Sequence, residues 1–204
     1  MIIPIGHESQ KVHRTPWISF TIMAACFVIH IFVSSAMNKV EKELQTDLYN
    51  LFQYYFEHPY LVFNDDIKEL FKIDDQIEEA LEERTRLFGT QKEVPEDFIV
   101  EEEQLELDRL SDKLLAAIEK IPLKKYGFIP KKKSLFTLLS YMFLHGGWLH
   151  LIGNLLLLYL SAPFIEDIWG KPIFLAVYIL GGMLAGQMFA VHYPGFEGPL
   201  IGAS

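Results

Sequence analysis

Cysteine is nearly absent from this 204-residue chain, since Cys26 stands alone within an apolar run. One thiol excludes a disulfide framework and the paired-cysteine spacing of a zinc or redox motif. A basic stripe is also missing, which removes the electrostatic footprint of a nucleic-acid binder. The lysines Lys124, Lys125, Lys131, Lys132 and Lys133 form one local cluster beside an apolar run. Such lysines fit a membrane edge, with apolar stems buried and ammonium groups at the headgroups. Internal repeats and low-complexity tracts are absent as well. Charge itself is confined. Residues 38–133 carry 23 acidic and 15 basic side chains, a net of −8 out of the chain's −9, and the other 108 residues carry only 4 and 3. Half of the chain is apolar and 22% is charged, yet the two populations hardly mix. That partition describes a membrane protein with an acidic polar insertion.

After an N-terminal segment, residues 1–16, Trp17 to Met37 form an apolar stretch free of formal charge. About 20 residues at ~1.5 Å each cross a hydrocarbon core of roughly 30 Å. A cleaved signal peptide competes, with Ser34-Ser35-Ala36 as its small-residue site. The stretch exceeds the roughly 7–15 apolar residues of a signal peptide, which favours a retained first span. Residues 38–125 are the insertion. Val40, Leu44, Leu48, Leu51 and Tyr55 recur at helical spacing, as do Ile67, Leu70 and Phe71, and then Leu107, Leu110, Leu114 and Ile118. With breaks at His58-Pro59, Gly89 and Pro95, the pattern predicts three amphipathic helices. Glu78-Glu79 and Glu101-Glu102-Glu103 read as solvated faces rather than metal ligands. Residues 126–204 return to apolar sequence. Leu135 to Leu144 precede a His145-Gly-Gly-Trp break, Leu149 to Ile165 form a second span, and Ile173 to about Val191 a third. Gly182 and Gly186 in the third span allow close helix packing. Tyr193 to Ala203 read as a glycine- and proline-rich loop. The fold class expected is an all-α polytopic membrane bundle with a helical polar insertion in its first loop.

His150 and Asn154 are four residues apart at the start of the second span, so they share a helical face with Leu157 and Ser161. Polar groups at membrane depth are costly and read first as functional. They also serve as hydrogen-bonding glue between helices, and on their own the two readings are evenly matched. His145, before the glycine break, fits a loop-bracing role. Gly202-Ala203-Ser204 then supplies a candidate nucleophile. A Gly-x-Ser at the end of a glycine-rich loop permits a sharp turn that presents the hydroxyl, and a helix starting there would aim free N–H groups at a developing oxyanion. If the three spans alternate in direction, His150 and Ser204 fall on the same side of the membrane.

The stretch from Tyr126 through His145-Gly-Gly-Trp-Leu-His150-Leu-Ile-Gly-Asn154, the turn Glu166-Asp-Ile-Trp-Gly170-Lys-Pro, and Gly202-Ala-Ser204 together resemble the rhomboid family of intramembrane serine proteases. Ile3-Pro4-Ile5 and Arg14-Thr-Pro16 resemble bacterial members. The resemblance implies a six-span core, of which these residues hold the first three spans and the start of a fourth. It implies Ser204 as nucleophile, His150 and Asn154 as the oxyanion hole, and His145 and Gly202 as supporting residues. It implies no metal or organic cofactor, substrates that are transmembrane helices, and residence in a bacterial inner membrane. The family's catalytic histidine lies on a later span, so the 204 residues alone are expected to be inactive; His192 is the one tempting internal substitute. Two other readings remain. One is a non-catalytic rhomboid-like module that binds membrane proteins. The other is a three-span scaffold whose acidic insertion recruits a soluble partner.

Overall fold

A computed structural model describes residues 14–73, 83, 95–132 and 134–202. The chain divides into two units, one of residues 1–37 and 122–204, the other of residues 38–121.

Helix α1, Trp17–Glu57, begins in the first unit and ends in the second. Its 41 residues contain neither proline nor glycine, and nothing in them interrupts the hydrogen-bond ladder. The sequence reading separated a first span at Met37 from a following amphipathic helix. The structure runs them together, because charge changes at that point but helix propensity does not. At ~1.5 Å per residue the helix extends ~60 Å, about twice a hydrocarbon core.

Within the polar unit, α1 ends at the expected His58-Pro59 break. A short helix α2, Asp65–Phe71, follows, capped by Asn64, whose side chain accepts from the Ile67 N–H at 3.0 Å. Helix α3, Asp97–Glu119, begins two residues after Pro95. The expected Gly89 break and the Glu78-Glu79 run lie outside the described residues. The core joins Leu51, Tyr55, Ile67, Leu107 and Leu114, all on the periodic faces, with Leu61 and Phe63 from the loop before α2. Glu103 departs from the solvated face expected of its run. It accepts from the Tyr60 hydroxyl and lies 3.5 Å from the His58 ring. Burial, then the hydrogen bond to Glu103, pushes the Tyr60 phenol up to about 12. Gln104 brackets the backbone of Val62, accepting at 3.1 Å and donating at 2.9 Å.

In the other unit a five-residue helix α4, Pro122–Tyr126, leads through a 3₁₀ turn at Pro130–Lys132 into α5, Leu135–Ser140. A second 3₁₀ turn, Tyr141–Phe143, completes the stretch that the sequence marks only as apolar. Two long helices follow, α6 at Trp148–Trp169 and α7 at Lys171–His192. Three described helices, α1, α6 and α7, are long and apolar enough to cross a membrane. No strand occurs among the described residues; one antiparallel bridge joins Phe128 to Leu200. This is an all-α integral membrane protein.

Two contacts organise the bundle. Glu166, buried near the end of α6, accepts from the Ile18 N–H at 3.1 Å, the Ser19 N–H at 2.8 Å and the Ser19 hydroxyl at 2.7 Å. It thereby caps the start of α1 from 147 residues away, where the helix dipole also favours negative charge. The small-residue stripe of α7 receives the short α5 segment. A methyl added at Gly186 would meet Leu138 at 2.9 Å and the Tyr141 hydroxyl at 3.0 Å, whereas at Gly181 it would meet open space. The Tyr141 hydroxyl also donates to Gly182 O at 2.5 Å.

Two outcomes follow for unfolding titrations in mixed micelles. Glu166→Ala leaves three donors at the start of α1 without their acceptor and should cost about 3 kcal/mol; a loss under ~0.5 kcal/mol would show that the cap contributes little. Gly186→Val should destabilise by about 1–3 kcal/mol through overpacking, with Gly181→Val near neutral. Equal effects at the two glycines would remove the packing distinction.

Candidate active site

The His145-Gly-Gly-Trp break sets the site's geometry. Leu144 is extended and Gly147, at φ 173° and ψ 171°, continues that extended backbone up to α6. The first turn of α6 has no side-chain cap. The break therefore lets the backbone fold over the helix start. There the Gly146 N–H donates to His150 Nδ1 at 3.4 Å. A neutral imidazole that accepts at Nδ1 carries its proton on Nε2. His150 thus becomes a donor at Nε2.

That donor faces the loop after α7. A methyl built on Gly202 would lie 2.9 Å from His150 Cε1 and 3.0 Å from Nε2, so only a hydrogen fits. Gly202 also sits at φ +81°, in the left-handed region that glycine occupies without strain. Three backbone hydrogen bonds hold the loop in place. Phe128 N–H donates to Leu200 O at 3.0 Å, Leu200 N–H returns to Phe128 O at 2.8 Å, and Gly202 N–H donates to Tyr141 O at 2.8 Å. The Ile201 side chain reaches to within 3.0 Å of where a Gly146 side chain would begin. Ala203 and Ser204, the two residues after Gly202, lie outside the described residues.

Asn154 takes a different position from His150. It lines a cavity of about 180 Å³ with Cys26, Met142, His145, Leu157, Leu158, Ser161 and Tyr178. This is the continuation of the helical face that the sequence spacing predicts. The Ser161 hydroxyl donates to Leu157 O at 2.7 Å and is satisfied within its own helix. His145 bridges the two groups, because it borders the cavity and its ring centre is 5.2 Å from that of His150. Its Nδ1 lies 3.2 Å from Phe143 O, which assigns the proton of the neutral ring to that nitrogen. Burial, then the neighbouring His150 ring, holds His145 below the ordinary histidine range. The structure thus brings together His145, His150 and Gly202, with Asn154 on the adjoining cavity. His192 bonds within its own helix, where its Nδ1 lies 2.9 Å from Met188 O.

A residue that the sequence reading passed over joins the group. His30 is buried in α1, with its ring centre 6.4 Å from His145 and 4.7 Å from Trp148. Its signal in the sequence is a lone imidazole inside an uncharged span.

Residues 132–204 match the family model of the Rhomboid domain. No curated protein and no solved structure matches the chain.

Gly202→Ala should both strain the φ +81° turn and push a methyl against His150, at a cost of about 1–3 kcal/mol. The amide at position 202 should then exchange with solvent at least about tenfold faster than in the wild type. Unchanged exchange there would mean that the loop is not packed on the imidazole.

Proposed function

We propose that the protein, whose residues 132–204 match the Rhomboid domain, cleaves transmembrane helices of other membrane proteins with Ser204 as nucleophile. The observation that carries this reading is the Nε2 donor of His150 packed against Gly202, two residues before that serine. A ring whose proton is on Nε2 cannot accept a proton there. It suits a group that stabilises negative charge better than one that activates the serine. His150 therefore serves as an oxyanion-hole donor. Asn154, one turn further along α6, supplies a carboxamide donor, and the backbone N–H of Ser204 adds a third.

The reaction is acyl transfer. The Ser204 hydroxyl attacks the scissile carbonyl, its proton passes to a base, and the tetrahedral oxyanion is held by these donors. Collapse expels the amine, which takes up the proton, and water then hydrolyses the acyl-enzyme. His145 bonds to Phe143 O, and His192 sits over its own helix at Met188 O. Family resemblance assigns the base to a histidine on a later span. It also favours a bacterial inner membrane, with the site open to the extracytoplasmic side. No metal or organic cofactor takes part in this scheme. In the polar unit, the exposed acidic side chains of α3, among them Glu101 and Glu102, offer a surface to a soluble partner.

The test uses the protein in its native membrane, with a fluorophosphonate probe and a single-span reporter substrate. Ser204→Ala should abolish both labelling and cleavage. His150→Ala and Asn154→Ala should each slow cleavage by about 10²–10³. Reporter cleavage that survives Ser204→Ala unchanged would end the protease reading. Absent cleavage together with retained binding of membrane proteins would favour a non-catalytic binding module.

A further inference from the structure

Histidine is an expensive residue to bury in a membrane span unless its ring nitrogens are used. His30 is 3% exposed. Its Nε2 lies 3.4 Å from Ser34 Oγ, a long contact within its own helix, and its Nδ1 has no hydrogen-bond partner among the described residues. An unpaired buried nitrogen of this kind costs about 1–3 kcal/mol, which a phenylalanine at the same position would avoid. The ring's surroundings indicate what the imidazole does there. It meets Trp148 edge to face at 4.7 Å, and Phe27, one turn earlier on α1, meets the same indole at 6.2 Å. Trp148 is the first residue of α6, the helix start that lacks a side-chain cap. The His30 ring also meets that of His145, 6.4 Å centre to centre, and His145 in turn packs on His150. Two neighbours of His150, one on its own turn and one just before it, therefore meet His30.

We propose that His30 is a positioning residue, which fixes the first turn of α6 through Trp148 and His145 and so aims the His150 donor at the Gly202 loop. This rests on the reading of His150 as an oxyanion-hole donor. A phenyl ring would keep the edge-to-face contacts but not the Nε2–Ser34 contact, which gives the imidazole a preferred orientation between Trp148 and His145. Misplacement of a catalytic group by about 1 Å can cost on the order of 10²-fold in rate, so a small rotation here is enough to matter.

The comparison is between wild type, His30→Phe and His30→Gln, each purified from its own membrane. His30→Phe keeps the ring and its volume, while His30→Gln keeps hydrogen-bonding atoms at a similar reach. Two measurements are made on each. One is the rate of fluorophosphonate labelling at Ser204. The other is the imidazole ¹⁵N spectrum of His145 and His150, assigned by single replacement, which reports ring environment and tautomer without any need for activity.

His30→Phe is expected to melt no lower than wild type, label at least about tenfold more slowly, and shift the His150 resonances. His30→Gln should return both labelling and spectrum most of the way to wild type. The proposal is overturned if His30→Phe labels at the wild-type rate with unshifted His150 resonances. It is overturned equally if both variants lose activity and melting temperature together, since that marks a packing role. If wild type itself takes up no probe, the protease reading has failed, and the spectra alone judge His30. A His150 shift in His30→Phe that His30→Gln reverses then upholds the positioning role, and unshifted spectra refute it.

Discussion

Irregular backbone inside a membrane bundle must be satisfied by the protein itself, because lipid offers neither donors nor acceptors. That constraint shapes everything around the candidate site. The stretch between α4 and α6 is broken into one short helix and two 3₁₀ turns, and residues 193–202 after α7 form no helix. Each meets the other's needs. Phe128 and Leu200 exchange a reciprocal pair of hydrogen bonds, and Tyr141 O receives the Gly202 N–H. Tyr141 also reaches Gly182 O through its hydroxyl, so one residue fastens both a span and a loop. These bonds hold the loop where Gly202 meets the His150 ring.

Residues 38–121 obey a different rule. The unit is held by an apolar core around Leu51, Ile67 and Leu107, with polar groups closing its edges. Glu103 receives Tyr60, Gln104 pairs with Val62, and Lys113 meets the buried Asp47 at 2.7 Å. The first two contacts fix where the 58–64 loop runs over α3, and the third ties α1 to α3. They explain why the acidic character of this segment is not simply a solvated coat.

Much of this could be read from residue patterns. The long apolar runs mark α6 and α7 to within a few residues, and the three-and-four spacings in the insertion mark the positions that form its core. What escapes is set by contacts between distant residues. The continuity of α1 past Met37 is hidden by the sudden appearance of charge, although no proline or glycine stands there. Leu61 and Phe63 carry no period because they lie in a loop. Glu103 looks like its neighbours Glu101 and Glu102 until Tyr60 and His58 are placed beside it. His150 and Asn154 share a face by spacing, yet one turns to the Gly202 loop and the other to a cavity, because the Gly146 N–H claims the His150 ring. His30 is invisible as a site residue without α6 next to α1.

The order in which these partners are synthesised has its own consequence. Gly202 follows His150 by about fifty residues. At a translation rate of about 5–20 residues per second, the imidazole waits several seconds for the loop that will cover it. Glu166 likewise arrives long after Ser19, whose N–H and hydroxyl it will accept. During that interval the nascent second span must enter the membrane with His150 and Asn154 not yet enclosed, and α1 must do so uncapped. Substitutions that make α6 still more polar would then register first as failed insertion, before any effect on the finished protein.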